Sequence, residues 1–337
     1  MSKPLEAANP PRKSTTERIL RMKYKATVHT LEIKPLLPET VSSGKWIRAV
    51  FDQDRDYVSS IRPRGKKSEP RLVINPHKAD EPTNGLYHFE YDGLARHKEI
   101  MQRICKELNV NGYIIRRFDV CLDTDQPYEQ TEKITRLIML LLGENIGADN
   151  RFSSYDPLTF ERLTTRIQNG DKKTCTLEME HYNRAVIDQT KWDTTIVNRF
   201  ELRAMGARAG KNHDERSIVQ SWIDRLQSID PADMRGLEST LNSGIYARWE
   251  AYAKESGKQT SSADFNAYLR FNADHIYARA QLKDLFTLYG KDDPEKAVQH
   301  LISKERSGSR FEKLYTEREI RAAIKSMIDA LTEFIDS

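Results

Sequence analysis

The stretch YIIRRFDVCLD, residues 113–123, decides how the chain is read. It is rich in β-branched and aromatic residues and alternates from Arg117 to Asp123, which makes it a strand. Alternation places Phe118, Val120 and Leu122 on one face, the natural core face. Arg117, Asp119, Cys121 and Asp123 fall on the other. One apolar and one charged face is the pattern of an antiparallel sheet with a single face on the core.

Working upstream, residues 24–33, 46–51, 71–75 and 86–91 read as further strands, separated by Pro, Asn and Gly turn signals. Residues 95–108 read as a helix, because Ile100, Ile104 and Leu108 recur at i, i+4 and i+8, and 109–112 closes it. Downstream, 131–142 is a helix and 174–182 and 196–204 are strands. Past 206–212 the texture changes, and 216–229, 232–241, 245–255, 263–271, 276–289, 294–304 and 316–335 all favour helix. The expected fold class is therefore α+β. A flexible basic arm (1–20) leads into an antiparallel-sheet domain (21–209), and an all-helical domain (210–337) follows. There is no internal repeat. Trp222, Trp249 and the tyrosines at 246, 252, 268, 277 and 289 fall at helical spacing and read as packing core.

Composition narrows the class. With 38% hydrophobic and 31% charged residues the 337-residue chain is polar but periodic enough to bury cores. The net charge is only +4, unevenly spread: residues 1–71 hold 16 Lys/Arg against 8 Asp/Glu. The amino-terminal part is thus the segment suited to a polyanion. Cys105, Cys121 and Cys175 form no CxxC pair, which speaks against a disulfide framework or structural zinc site and for a reducing compartment. The basic, Pro-rich start lacks the apolar core of a secretory signal. The longest apolar run, 137–142, is far shorter than the ~20 residues that span a bilayer. A cytoplasmic protein without membrane contact is expected.

Several chemistries have no motif to carry them. The eight histidines are isolated, with no HExxH pair for a zinc hydrolase. No P-loop, no GxGxxG after a strand and no GxSxG elbow occurs. What remains lies on three strands. Besides the face of 113–123 already described, Glu178, Glu180 and Tyr182 share a face, and so do Arg199, Glu201 and Arg203. If the strands are neighbours, carboxylates, arginines and a tyrosine converge. Antiparallel sheets also expose charged faces routinely, so plain solvation stands beside the chemical reading. Asp119 and Asp123 lie about 13 Å apart along a strand, too far to share an ion. Asp119 with Glu201 from a paired strand, about 5 Å away, is the better metal pair, and a hard oxygen site of this kind suits Mg²⁺ or Mn²⁺.

The segments RRFDVCLD (116–123), TLEMEHYNR (176–184) and NRFELR (198–203), in that order, resemble the Rep_trans family of plasmid rolling-circle replication initiators and related conjugative-element relaxases. The resemblance spans about 85–205. Arg184 stands where the family often has Lys, and the Gly-Ser-rich stretch that often precedes its tyrosine strand is missing. The resemblance implies a plasmid or mobile-element initiator that binds an origin and nicks one strand. Tyr182 would attack a phosphodiester, leaving a free 3′-OH and a 5′-phosphotyrosine. Arg184, Arg199 and Arg203 would stabilise the phenolate and the phosphorane charge, and a divalent metal on Asp119 and Glu201 would polarise a non-bridging oxygen. Arg62, Arg64, Lys66 and Lys67 are candidate DNA-phosphate contacts, with a solvated loop as the plain alternative. The expected partners are the double-stranded origin, the single strand at the nick, a host helicase and a second copy in a homodimer. A conjugative relaxase and a non-catalytic origin-binding initiator remain the alternatives.

Overall fold

The computed structural model describes residues 22–53, 55–62, 70–80, 93–124, 126, 128–155, 162–170, 175–183, 198–206, 214–230, 249–251, 253–255, 262–271, 279–304 and 317–337. The arm 1–20, the strand expected at 86–91 and the helix expected at 232–241 lie outside them. The elements run β1 (Lys25–Pro35), α1 (Ser43–Phe51), β2 (Val58–Arg62), β3 (Arg71–Ile74), α2 (Pro76–Asp80), α3 (Gly93–Glu107), β4 (Tyr113–Thr124), α4 (Tyr128–Asn145), β5 (Ala148–Tyr155), β6 (Arg162–Asn169), β7 (Leu177–Asn183) and β8 (Asn198–Met205). Among the described residues, the bounded helices that follow are α5 (Glu215–Gln227), α6 (Ser262–Phe271), α7 (Arg279–Leu288), α8 (Pro294–Lys304) and α9 (Glu317–Asp336).

The strands form one eight-stranded sheet in the order β2-β3-β1-β4-β8-β7-β6-β5. Every pairing is antiparallel, and with the helices this is the expected α+β architecture. The quoted strand sits at the centre, between β1 and β8. Phe118, Val120 and Leu122 are fully buried, with Phe200 and Leu202 beside them on β8.

This core does not stop at residue 210. Ile218, Val219, Trp222 and Ile223 of α5, and Ile320, Met327, Leu331 and Phe334 of α9, belong to the same apolar cluster as the sheet, α3 and α4. Tyr113 on β4 donates to Glu215 at the start of α5 at 2.5 Å. A second cluster gathers Trp249, Phe265 and Leu269 with Leu282, Phe286, Val298 and Leu301 of α7 and α8. Trp222, Trp249, Tyr268 and Tyr289 are packing residues, as their spacing suggests. Tyr246, Tyr252 and Tyr277 lie outside the described side chains. Among the described residues no helix is long and apolar enough to cross a membrane.

Residues 46–51 are helix and not strand. Trp46 and Val50, one turn apart, are both buried while Arg48 and Ala49 face outward, and the Trp46 indole donates to the Leu108 carbonyl at 2.7 Å. A six-residue apolar run does not by itself distinguish the two periods. The residues ending α3 behave as expected: Asn109 takes a positive φ of 52° and the Val110 amide bonds back to the Cys105 carbonyl at 3.0 Å.

Candidate active site

The register assembles the charged face. Between β4 and β8 it sets Asp119 opposite Arg203, Cys121 opposite Glu201 and Asp123 opposite Arg199. Between β7 and β8 it sets Glu178 opposite Arg203, Glu180 opposite Glu201 and Tyr182 opposite Arg199. β6 adds Arg166 opposite Glu180. The three strands are neighbours, and the convergence expected from alternation is there.

The face is not a solvated one. Asp119, Asp123, Arg199 and Glu201 are each at most 2% exposed. Ion pairing compensates for the burial. Asp123 and Arg199 form a two-pronged pair at 2.6 and 2.7 Å. Arg203 is the hub: its guanidinium meets Glu178, Glu180 and Glu201, and its Nε lies 3.4 Å from Asp119. Glu180 and Glu201 face each other directly, a repulsive arrangement for like charges, and Arg203 relieves it by bridging both. Arg117 closes on Asp119 through Nε at 2.8 and 3.0 Å, and Arg166 donates to Glu180 at 2.9 Å.

Glu201 is the chemical centre of the face. Its Oε1 accepts the Tyr182 hydroxyl at 2.7 Å and lies 3.2 Å from His29 Nδ1, while Oε2 is taken by Arg203. His29 comes from β1, two strands from β8. Sheet spacing alone puts those strands almost 10 Å apart, and two features bring the groups together. The β1–β4 register shifts between Val28 and Thr30, so His29 is the extra residue of a bulge, a device that re-aims a side chain. The intervening residue on β4 is Cys121, a small side chain over which imidazole and carboxylate meet. Donor atoms of His29, Cys121 and Glu201 all lie within 4.8 Å of one another. His29 remains about a quarter exposed, at 26%.

The protonation pattern follows from these neighbours. Burial works to raise the Glu201 carboxyl, but His29, Arg203 and Arg199 outweigh it and hold it well below the usual carboxylate range. Burial and then the Glu201 charge push the Tyr182 phenol well above 10, against the pull of Arg199. Burial raises the Cys121 thiol well above 9. The Tyr182 phenol therefore stays protonated at neutral pH, and added positive charge next to Glu201 would lower its pKa.

The residues singled out by sequence divide accordingly. Tyr182, Glu201 and Arg199 are brought together. Arg203 is saturated by carboxylates, and Asp119 is claimed by Arg117 and Arg203, with Cys121 and not Asp119 opposite Glu201. The expected oxygen pair is therefore not the donor set that the register builds. His29, Cys121 and Glu201 form that set, with one oxygen, one nitrogen and one sulfur. It fits Mn²⁺ and softer divalent ions and fits poorly the octahedral oxygen shell that Mg²⁺ demands. Arg184, Arg64, Lys66 and Lys67 lie outside the described residues, as does the side chain of Arg62, whose backbone ends β2.

No protein-family model matches the chain, and no curated protein matches it. Among solved structures, the chain is similar to a rolling circle replication initiator protein from Geobacillus stearothermophilus. The identity is 13% and the TM-score 0.31, over 61% of this chain and 80% of that one. At that level of likeness the reading of the site rests on its own geometry.

Proposed function

We propose that the protein initiates replication of a plasmid or mobile element by binding DNA at an origin and nicking one strand through Tyr182. The observation that carries this reading is the Tyr182 hydroxyl held 2.7 Å from a buried, ionised Glu201 beside His29. The resemblance of residues 116–123, 176–184 and 198–203 to the Rep_trans segments supports it.

In the proposed step the Tyr182 oxygen forms a bond to phosphorus and the P–O3′ bond breaks. The phenolic proton is lost to solvent, and the departing 3′ oxygen takes up a proton from solvent. The products are a 5′-phosphotyrosine and a free 3′-OH, and the retained phosphodiester energy permits religation. Glu201, His29 and Cys121 would hold a divalent cation, which would offset the carboxylate charge and polarise a phosphate oxygen. Arg199, anchored by Asp123, positions Tyr182 and lowers the cost of its phenolate. Arg184 and the basic segment containing Arg62, Arg64, Lys66 and Lys67 are assigned to phosphate contacts.

The test is incubation with supercoiled plasmid carrying the element's own origin, with and without added Mn²⁺ or Mg²⁺. Wild-type protein yields open circles and a covalent protein–DNA adduct. Tyr182→Phe, which removes one oxygen and little packing, yields neither while retaining origin binding. Adducts at wild-type level in the Phe variant would refute the assignment.

A further inference from the structure

We propose that His29, Cys121 and Glu201 form a mixed imidazole–thiolate–carboxylate site that takes a thiophilic or borderline divalent cation, Zn²⁺ or Co²⁺ in class, in preference to Mg²⁺. Its meaning for nicking rests on the reading above; the existence of the ion site does not.

Three observations carry the inference independently of any chemistry on DNA. First, the donors converge from three adjacent strands, all within 4.8 Å. His29 Nδ1 and Glu201 Oε1 are 3.2 Å apart, close to the roughly 3.4 Å that separates two tetrahedral ligands each about 2.1 Å from an ion. Second, the β1 bulge falls at His29, so the backbone departs from regular pairing at the one residue that must turn toward Glu201. Third, Cys121 occupies the middle of a face whose other described positions on β4, Arg117, Asp119 and Asp123, are charged and ion-paired. A thiol there adds nothing to the ion-pair network, yet it sits directly opposite Glu201. Sulfur is a poor ligand for Mg²⁺ and a strong one for Zn²⁺ and Co²⁺. On binding, the thiol becomes a thiolate and its proton leaves to solvent. The partly exposed His29 marks the side from which an ion reaches the buried pair. The Tyr182 hydroxyl, already on Glu201 Oε1, adjoins the same donors.

The experiment uses the full chain, stripped with chelator, and titrates Co²⁺ anaerobically in excess Mg²⁺ while recording near-ultraviolet and visible absorption. The expected result is a thiolate-to-cobalt charge-transfer band that saturates at one equivalent and is bleached by Zn²⁺. Cys121→Ser abolishes that band and weakens Co²⁺ binding roughly tenfold or more. His29→Asn, at a partly exposed position, weakens binding similarly with the fold intact by circular dichroism. A Cys105→Ser, Cys175→Ser double variant keeps the band, and so does Tyr182→Phe. No charge-transfer band at saturating Co²⁺, or a band that survives Cys121→Ser, overturns the proposal. A normal band with no adduct on origin DNA refutes the nicking reading alone; nicking in Mg²⁺ with no band refutes the thiolate site alone.

Discussion

Replacing Arg203 by Met separates a wired interior from a catalytic arginine. Among the described side chains of β4, β6, β7 and β8, five carboxylates (Asp119, Asp123, Glu178, Glu180, Glu201) face four guanidiniums (Arg117, Arg166, Arg199, Arg203). Arg203 touches four of the five acids and is 9% exposed. Methionine keeps most of the aliphatic packing and deletes the charge. Breaking a buried network by removing one partner costs about 3–5 kcal/mol, and that is the loss expected at pH 8. The loss depends on pH with a definite sign. In wild type Glu201 is held below its unfolded value, so its contribution is present above about pH 4.5 and disappears as pH falls. In the variant the buried acids lose the counter-charge of Arg203, and burial then favours their protonated forms. The folded state then binds more protons, and stability falls as pH rises through that window. The deficit should therefore shrink from pH 8 to pH 5, by up to about 1.4 kcal/mol per pH unit for each proton taken up. Urea unfolding followed by tryptophan fluorescence at pH 5, 6, 7 and 8 measures it. A deficit under about 1 kcal/mol at pH 8, or one that does not change with pH, refutes the hub. Arg203→Lys should rescue little, because a point ammonium cannot reach acids on three sides of a fork.

The other expectations are brief. Arg199→Met should destabilise by about 3–5 kcal/mol, and the Asp123→Leu, Arg199→Met double variant by clearly less than the sum, since the second change removes the stranded charge; additive losses in a double-mutant cycle would contradict the pairing. A fragment ending at residue 209 should fail to fold, because α9 alone buries Ile320, Ile324, Met327, Leu331, Phe334 and Ile335 against the sheet body. At about 1.5–3 kcal/mol each that matches or exceeds a typical domain's whole stability. A fragment with dispersed, cooperatively melting tertiary signals would show the helices to be dispensable. Burial pushes His97 down to about 3, with Lys98 adding to the effect and Glu215 3.9 Å away. The unfolded imidazole titrates near 6.5, so stability should be complete above that pH and fall by about 1.4 kcal/mol per unit below it. His97→Asn, compared by urea unfolding at pH 6.5 and pH 5, should show a flatter pH dependence than wild type; an equal slope would remove His97 as a source.

Alternation made the central sheet legible. In β4, β7 and β8 residues such as Phe118, Met179 and Leu202 alternate cleanly with charge, so faces and neighbours followed from period 2. It failed where the pattern is short or weak. The Trp46–Val50 spacing fits a helix turn as well as a strand, and the β5–β6 hairpin went unread because ADNRFSSY and RLTTRIQN are polar almost throughout. The division at 210 followed a change in texture, but texture does not show which helices return to the sheet, as α5 and α9 do. The His29–Cys121–Glu201 set was hidden for two reasons. Its members lie 80 or more residues apart and form no local motif. The bulge that aims His29 also breaks the phase by which alternation assigns faces. One sign was present in the sequence: Cys121 is the uncharged exception on an otherwise charged strand face.

The wiring of this face bears on where phosphate charge would be met. Burying so many ionised groups is expensive, and well-packed apolar residues would stabilise a sheet at least as well. The pairs are therefore better understood through what they hold in place. Asp123 occupies Arg199 through both prongs, Arg203 is shared among four acids, and Arg117 is closed on Asp119. A phosphate could recruit any of these guanidiniums only by stranding a buried carboxylate, at a cost of several kcal/mol. They are charges held in fixed orientation around Tyr182 and Glu201. The positive charge that neutralises a bound phosphodiester must then come from groups not already spent in the network. Sequence offers Arg184 and the basic segment from Arg62 to Lys67, whose side chains lie outside the described residues, and the register offers an ion on His29, Cys121 and Glu201. Nicking should accordingly be far more sensitive to His29→Asn than to Arg117→Met at equal protein stability, and the two variants assayed side by side on origin plasmid would reveal the opposite order if the arginines were the phosphate ligands.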